Sequence, residues 1–566
     1  MIQMFKAALL ALVVALAPLR AEAGGVGIGL ASFADWGTEL PLLDLMKSSR
    51  PWIGHGPDEW EAMSYEELVA AGTLDEHGWP KTIPAGLSSI GTLLFTDFPA
   101  DAGGAAGRYR VSWEGTGEIG VSGGATNVAP GRGALEFDFV PGNGSVLLDI
   151  YVTDPAGTGD YLRNITIVRT DRLAAYSAGE RFNPDWLALI DGFEVLRFMD
   201  WAETNDSPLV HWADRPELAD ATYTLGGAPV ELMVALANEI GADPWFNIPH
   251  LADDAFIRRF AETVRDGLDP GRKAYVEFSN EVWNWGFAQA TWADEQAKAR
   301  WGKDNSWLQF YAARSVEMAD IWTEVFGAAA DERLVRVIST QTAWLGLEEQ
   351  VLDAPLWVKE ERGRAAPYTH FDAYAVTGYF GGHLGYDEWV PEVKGWIADS
   401  TEAAIRDADT LKLEGTARAQ YVLDHRFDAA TMRAWTHLSG GDGPKDGVID
   451  VASLVAETLA YQAEVAADHG LELVAYEGGT HVVAGWEAID DEELTDFFTH
   501  LNYTSEMGAL YRQLLDGWKG LDAGVFVAYL DIASPSQWGS WGNLRHLGDR
   551  TARWDALVAA RDAAGQ

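Results

Sequence analysis

Short apolar runs alternate with amphipathic stretches along most of the chain, and two regions differ in their period. From Ile83 to Thr170 the runs are brief and alternate at period two, as in RYRVSWEG, ALEFDFV and NITIVRT, with Gly, Pro and Asn between them. Such alternation with closely spaced turns predicts an antiparallel β-sandwich over 83–170. From 171 to 566 the pattern becomes strand, helix, strand. Asn183-Pro184 is a cap followed by proline at the first helical position, opening PDWLALIDGF. Pro229 opens PVELMVALANEIG, with Gly241 as its stop, and Asp253-Asp254 precedes AFIRRFAETVRDGL.

Eight strands are predicted outside the sandwich: 25–33, 195–198, 245–248, 275–279, 334–340, 372–379, 471–477 and 524–530. They are mostly apolar, as strands buried on both faces tend to be, and helical patterns separate most of them. The expectation is an α/β chain folded as a (β/α)8 TIM barrel, with the antiparallel β-sandwich inserted between barrel strands 1 and 2. Residues 24–82 would hold the first strand and an aromatic loop, and 171–566 the rest of the barrel. A doubly wound open sheet is the alternative, but no glycine-rich phosphate loop follows the first strand. The interval from about 381 to 470 reads as a helical elaboration near the sixth strand.

The first 23 residues read as a signal peptide. Lys6 precedes the apolar segment Ala7–Leu19, which is too short to span a bilayer comfortably, and Ala21-Glu22-Ala23 fits a small-x-small cleavage site. The expected location is periplasmic or secreted, with no stable membrane insertion after cleavage. With no cysteine, disulfides and thiolate chemistry are excluded. The formal charge of −45, from 86 acidic and 41 basic residues, disfavours nucleic acid and anionic membranes as partners and suits a neutral substrate. A solvated, salt-adapted surface would have the same composition. The 25 tryptophans exceed what a core of this size needs, and flat rings at a cleft are one use for the surplus.

Barrels carry their chemistry at the C-terminal ends of strands. Those ends offer Arg197, Asp200 and Trp201; Asn247 and His250; Asn280 and Glu281; Gln341 and Trp344; Tyr379; Glu477 and His481; and Asp531, Trp538 and Trp541. Alternation places Glu281 on one face with Ser279 and Glu277, and Glu477 ends LVAYE in the same way. Two carboxyl groups facing one cleft are what glycosidic cleavage requires, one protonating the departing oxygen and the other attacking the anomeric carbon or activating water. Separations of about 5–5.5 Å give retention and about 6.5–9.5 Å inversion. Trp283 and Trp285 would dry the site and raise the Glu281 pKa, and Asn280 would bind a sugar 2-hydroxyl. Asp200 and Asp531 read as scaffold hydrogen-bonders.

Ser279-Asn280-Glu281 at the fourth strand and Glu477 at the seventh resemble clan A glycoside hydrolases. The resemblance implies Glu281 as acid/base, Glu477 as nucleophile, and retention of configuration. It implies Arg197 as support for the nucleophile, Tyr379 as its hydrogen-bond donor, and Trp538 or Trp541 as the floor of the site. His250 and His481 would contact the sugar. The chain also resembles secreted bacterial proteins sharing RFMDW, PWFNIPH and EFSNEVWN, some of them labelled cellulose-binding. The partner expected is therefore a neutral poly- or oligosaccharide, with no cofactor and no metal. The segment Asp442–Asp450 is similar to a calcium loop, but Pro444 occupies a ligand position and Ser453 replaces the closing glutamate, so it reads as a surface turn. A non-catalytic carbohydrate (cellulose)-binding protein and an envelope or exopolysaccharide transglycosylase are the alternatives to a hydrolase.

Overall fold

The computed structural model describes residues 24–131, 133–443 and 447–564, so the segment read as a signal peptide and part of the calcium-like loop lie outside the described residues. Strand β1 (Val26–Gly29) is followed by eight strands of the insertion: β2 (Ile53–His55), β3 (Ser89–Leu94), β4 (Gly107–Glu114), β5 (Gly117–Gly123), β6 (Thr126–Gly131), β7 (Ala134–Phe139), β8 (Val146–Thr153) and β9 (Arg163–Arg169). They form two antiparallel four-stranded sheets, ordered β2-β3-β8-β5 and β6-β7-β4-β9. Alternate side chains are buried, among them Ile90, Leu148 and Ile150 of one sheet and Val111, Phe137 and Ile167 of the other. Phe95, just past β3, stacks on Phe139 of β7 at 4.1 Å between centroids and meets Tyr109 of β4 at 5.3 Å. Those contacts join the sheets into a sandwich, and each such buried side chain contributes roughly 1.5–3 kcal/mol. The first sheet begins upstream of residue 83, because β2 supplies its edge.

The remaining strands are β10 (Val195–Arg197), β11 (Asp243–Ile248), β12 (Ala274–Phe278), β13 (Leu334–Ser339), β14 (Ala373–Phe380), β15 (Glu472–Thr480) and β16 (Phe526–Ala528). With β1 they pair in parallel, in sequence order, and β16 pairs with β1 to close the barrel. The chain is thus an α/β protein with a (β/α)8 barrel and a sandwich inserted between barrel strands 1 and 2. Val195, Trp245, Tyr275, Val337, Ala375, Val474, Tyr476 and Val527 fill the barrel interior as a cluster of their own. The helices pack outside. Asn183 caps Pro184–Ile190 by accepting from the Asp185 amide, and Asp253 caps Asp254–Gly267 by accepting from Phe256. Gly241 ends Val230–Ile240 at φ 67°. Between β14 and β15 lie the long helix Val390–Thr410, two shorter ones at Gly415–His425 and Asp428–Leu438, and the helix Ala460–His469. Among the described residues no helix is long and apolar enough to cross a membrane.

Two local departures from regular strand geometry matter for the site. In β15 the pairing with β14 runs Val376 to Ala475 and then Thr377 to Glu477, leaving Tyr476 as an extra residue. This is a β-bulge, and it turns consecutive side chains toward the same interior. At the end of β12 the backbone becomes left-handed, with φ 61° at Ser279 and 40° at Glu281. Neither residue is glycine, so each conformation costs about 1–3 kcal/mol that the surroundings must offset.

Candidate active site

Arg197 leaves the end of β10 and is buried at the centre of the barrel mouth. Its Nη1 donates to Glu477 Oε1 at 2.5 Å. Its Nη2 donates to Asn280 Oδ1 at 2.7 Å and to Glu277 Oε2 at 3.3 Å. One guanidinium therefore ties together the ends of strands 2, 4 and 7. The planar fork suits this role, since it presents several fixed donors without rotation. Tyr379 from β14 donates its hydroxyl to the other Glu477 oxygen at 2.9 Å. Both carboxylate oxygens of Glu477 are thus engaged by donors.

Glu277 is fully buried below this layer, and its Oε2 also accepts from Trp245 Nε1 at 3.1 Å and Asn247 Nδ2 at 2.8 Å. It supplies the partner that a buried indole N–H needs. The left-handed turn after β12 redirects the chain, so Glu281 reaches the site by that turn and not by simple alternation with Glu277. Its Oε1 accepts from the Tyr476 hydroxyl at 3.1 Å and its Oε2 from Asn284 Nδ2 at 3.0 Å. Because Tyr476 and Glu477 both turn inward at the bulge, the residue that binds Glu281 is the immediate neighbour of Glu477.

Burial and the nearby Glu477 push the Glu281 carboxyl up to about 7, against the Asn284 and Tyr476 donors and Arg197. Burial also raises Glu477, while Arg197 and Tyr379 pull it back. The countercharge and two donors sit on Glu477, so Glu477 is the first of the pair to ionise and Glu281 the one that keeps its proton. Burial raises the hydroxyls of Tyr379, Tyr476 and Tyr529, which keeps all three as donors.

Asn280 is held at both ends, accepting from Arg197 and donating through Nδ2 to Asn205 Oδ1 at 3.1 Å. Gln289 fixes this arrangement by donating to Asn205 Oδ1 and to the Asn280 carbonyl, each at 2.8 Å. Trp283 is half-buried beside Glu281, whereas Trp285 is 51% exposed and packs against Trp307 at 4.9 Å. His481 is half-buried and meets Tyr379 and Trp541 edge to face at 5.5 and 5.1 Å. Trp541 also approaches Tyr379 and Tyr529, while Trp538 is 55% exposed and packs on Trp486. His250 is buried against Trp292, with its pKa lowered to about 4 by burial. The structure thus joins Arg197, Asn280, Glu281, Tyr379 and Glu477 in one network, with His481 and Trp541 beside it. Trp285, Trp538 and His250 lie away from the hydrogen bonds of the two glutamates.

Four further residues belong to this network. Tyr476 is hidden from sequence reading because alternation places it opposite Glu477. Tyr529, whose peptide bond to Leu530 is cis, follows β16 and donates to Asp200. Asp200, expected as scaffold, is pushed up to about 7 by burial and by Glu477, against Arg197. Asn205 comes from a loop with no periodic signal. Asp200 and Tyr529 also line a recess of 160 Å³ with Trp36, Glu39 and Ser32. Among the described residues no group of three or more His, Asp or Glu is arranged to hold a metal ion.

No protein-family model matches the chain, and no curated protein matches it. Among solved structures it is similar to a 4-O-α-L-rhamnosyl-β-D-glucuronidase from Fusarium oxysporum 12S, at 12% identity over 66% of this chain and a TM-score of 0.35. That match spans 62% of the glucuronidase's length. It is also similar to a Bacteroidetes-affiliated GH5 cellulase linked with a polysaccharide utilization locus, at 12% identity, 68% of this chain, 85% of that one and a TM-score of 0.33. The endo-1,4-β-D-mannanase of Thermotoga petrophila RKU-1 matches at 11% identity, 67% and 92% coverage, and a TM-score of 0.30. Likenesses this distant leave function to the site itself. What the chain's own strand pairing defines is a (β/α)8 barrel with Asn-Glu after its fourth strand and a glutamate on its seventh.

Proposed function

We propose that the protein is a retaining glycoside hydrolase that cleaves a β-linked neutral poly- or oligosaccharide, with Glu281 as acid/base and Glu477 as nucleophile. The observation that carries this reading is the division of labour between two carboxyls, Glu477 buried and Glu281 half-buried. Glu477 has Arg197 and Tyr379 on its two oxygens, which favours the ionised form. Glu281 is held by two neutral donors and pushed up to about 7, which favours the protonated form.

In the first step a Glu477 oxygen attacks the anomeric carbon, the glycosidic C–O bond breaks, and the departing oxygen takes the Glu281 proton. In the second, Glu281 removes a proton from water, the water oxygen bonds to the anomeric carbon, and the Glu477 ester bond breaks. As charge leaves Glu477, Arg197 remains paired with Glu277 and Asn280, so the guanidinium stays in place. Tyr379 and Arg197 are fixed before substrate arrives and need no reorganisation. The segment 1–23, read as a signal peptide, would deliver the enzyme to the periplasm or beyond.

The test is a panel of β-glucans, mannans and galactans with the wild type, Glu281→Gln and Glu477→Gly. Loss of acid/base catalysis lowers kcat by about 10²–10⁴-fold in Glu281→Gln. Azide restores turnover to Glu477→Gly and yields the α-glycosyl azide. Proton NMR of early wild-type product shows the β-anomer. Full activity in either variant, or an α-anomer as first product, overturns the assignment. Elongated products from oligosaccharide donors would mark a transglycosylase, and binding of every glycan without turnover a non-catalytic binder.

A further inference from the structure

A groove of 1080 Å³ lies beside the barrel mouth, and neither glutamate lines it. One wall comes from the aromatic loop and the start of the insertion, with Trp52, Tyr65 and His77. The facing wall is the long loop after β10, with Glu203, Asn205 and Asp206. Asn205 accepts from Asn280 at 3.1 Å, so the groove starts one hydrogen bond from the catalytic layer. Single small-molecule sites span roughly 300–1,000 Å³, so this groove has room for more than one sugar ring.

The loop wall is set in place by its own contacts. Glu203 and Asp206 adopt left-handed backbone at φ 46° and 55°. The Asp206 amide donates to Gln289, and its carboxylate accepts from the Ala288 amide at 2.5 Å. Gln289 therefore fixes both Asn280 and the groove wall. The opposite wall is joined to the barrel side by His77 on Asp220 at 3.1 Å.

The lining is acidic. Glu76, Glu203, Asp206, Asp214, Glu217 and Asp220 face Arg215 and His77. Arg215 is already paired with Glu217 at 2.9 Å and Glu231 at 3.3 Å. A carboxylated or sulfated chain would meet a field of its own sign in a concave site, where screening is weakest. Hydroxyl groups instead find many acceptors.

We infer that the segment from Trp52 to Gly78, around and after β2, and the loop after β10 together bind further units of an uncharged glycan chain whose scissile bond lies at the Glu281–Glu477 pair. This rests on the hydrolase reading for the position of the scissile bond, and it gives the stretch between β2 and β3 of the insertion a direct part in substrate binding.

Gly226 lines the groove, and a Cβ there meets only Pro216 at 3.7 Å, so Gly226→Trp can fill the space without backbone strain. Leu225, 46% exposed on the same lining, offers a second blocking variant, Leu225→Trp. The measurement is calorimetric binding to the full chain carrying Glu281→Gln. The probes are cellohexaose, laminarihexaose, mannohexaose, their disaccharides, and hexaguluronate. At least one neutral hexasaccharide binds about tenfold or more tightly than its disaccharide, a difference of about 1.4 kcal/mol. The difference collapses in the blocking variants, judged on whichever keeps the parent's melting temperature, and hexaguluronate binds most weakly. The inference is overturned if hexa- and disaccharide bind alike, if the blocked protein keeps the difference, if hexaguluronate binds as well as the neutral chains, or if no neutral chain binds. These outcomes need no turnover. Length-dependent binding by a protein that hydrolyses nothing would sink the hydrolase reading and leave the groove standing.

Discussion

The Tyr476 hydroxyl donates to the carboxyl that must hold a proton, which makes it a setting on the acid's pKa. A donor stabilises the ionised form, so removing it raises the pKa of Glu281 further above its value of about 7. A hydrogen bond to a charged group is worth about 1.5–3 kcal/mol, and one pKa unit is 1.36 kcal/mol. With partial replacement by water, Tyr476→Phe should move the basic limb of the kcat/KM profile up by about one unit. A limb that stays put or moves down would show that another group sets it. Arg197 presents the opposite case. Arg197→Ala leaves Glu277 and Glu477 buried without their shared cation, a change that costs about 3–5 kcal/mol where a buried pair is broken. Thermal melting should fall accordingly, and the variant should regain stability at lower pH, where protonation of the stranded carboxyls removes the buried charge.

Strand β15 carries the pair's geometry through its bulge and through a glycine that pairs with a glycine of β14. Gly378 of β14 pairs with Gly478, and a Cβ at either would come within 2.4 or 2.3 Å of the Phe526 ring. The missing side chains are the space that ring occupies, so Gly478→Ala should overpack the strand–strand contact by about 1–3 kcal/mol. Gly478→Ala with Phe526→Leu should recover part of the loss, and additive melting shifts in that double-mutant cycle would refute the contact. These features also explain what could be read from sequence. Barrel strands were visible because burial on both faces leaves nearly continuous apolar runs such as GVFVAYL, and the sandwich because one-sided burial leaves alternation. Glu281 and Glu477 were visible as acidic ends to such runs, with Arg197 and Tyr379 through their resemblance. Tyr476 was not, because a bulge reverses the facing that alternation predicts and leaves no mark in composition. β2 is three residues long, too short to show a period, and Asn205 sits in a loop whose shape depends on Gln289, more than eighty positions further on.

Across the whole molecule, buried carboxyls and surface charge combine to make stability fall as pH rises. Burial raises Asp44 and Asp531 to about 6, Asp200 and Glu281 to about 7, and Glu39 well above the ordinary range. In the unfolded chain these groups titrate near 4. A raised folded value means stability that is complete below about pH 4 and lost as pH climbs through the folded values. His250, His481 and His500 are lowered and act in the opposite sense, but only below about pH 6.5, where unfolded histidine titrates. Above 6.5 the carboxyls are unopposed. The formal charge of −45 adds like-charge repulsion, which protonating all 12 histidines would relieve only to −33. Salt separates the two contributions, since at 1 M the screening length is about 3 Å for surface charges while buried groups are screened far less. Melting temperature should therefore rise with NaCl at pH 8. At 1 M NaCl it should still drop between pH 6.5 and 8, by the equivalent of about 1–3 kcal/mol. A melting temperature that rose with pH in high salt would mean that these carboxyls are already ionised in the folded state, and the protonated acid at Glu281 would be lost with them.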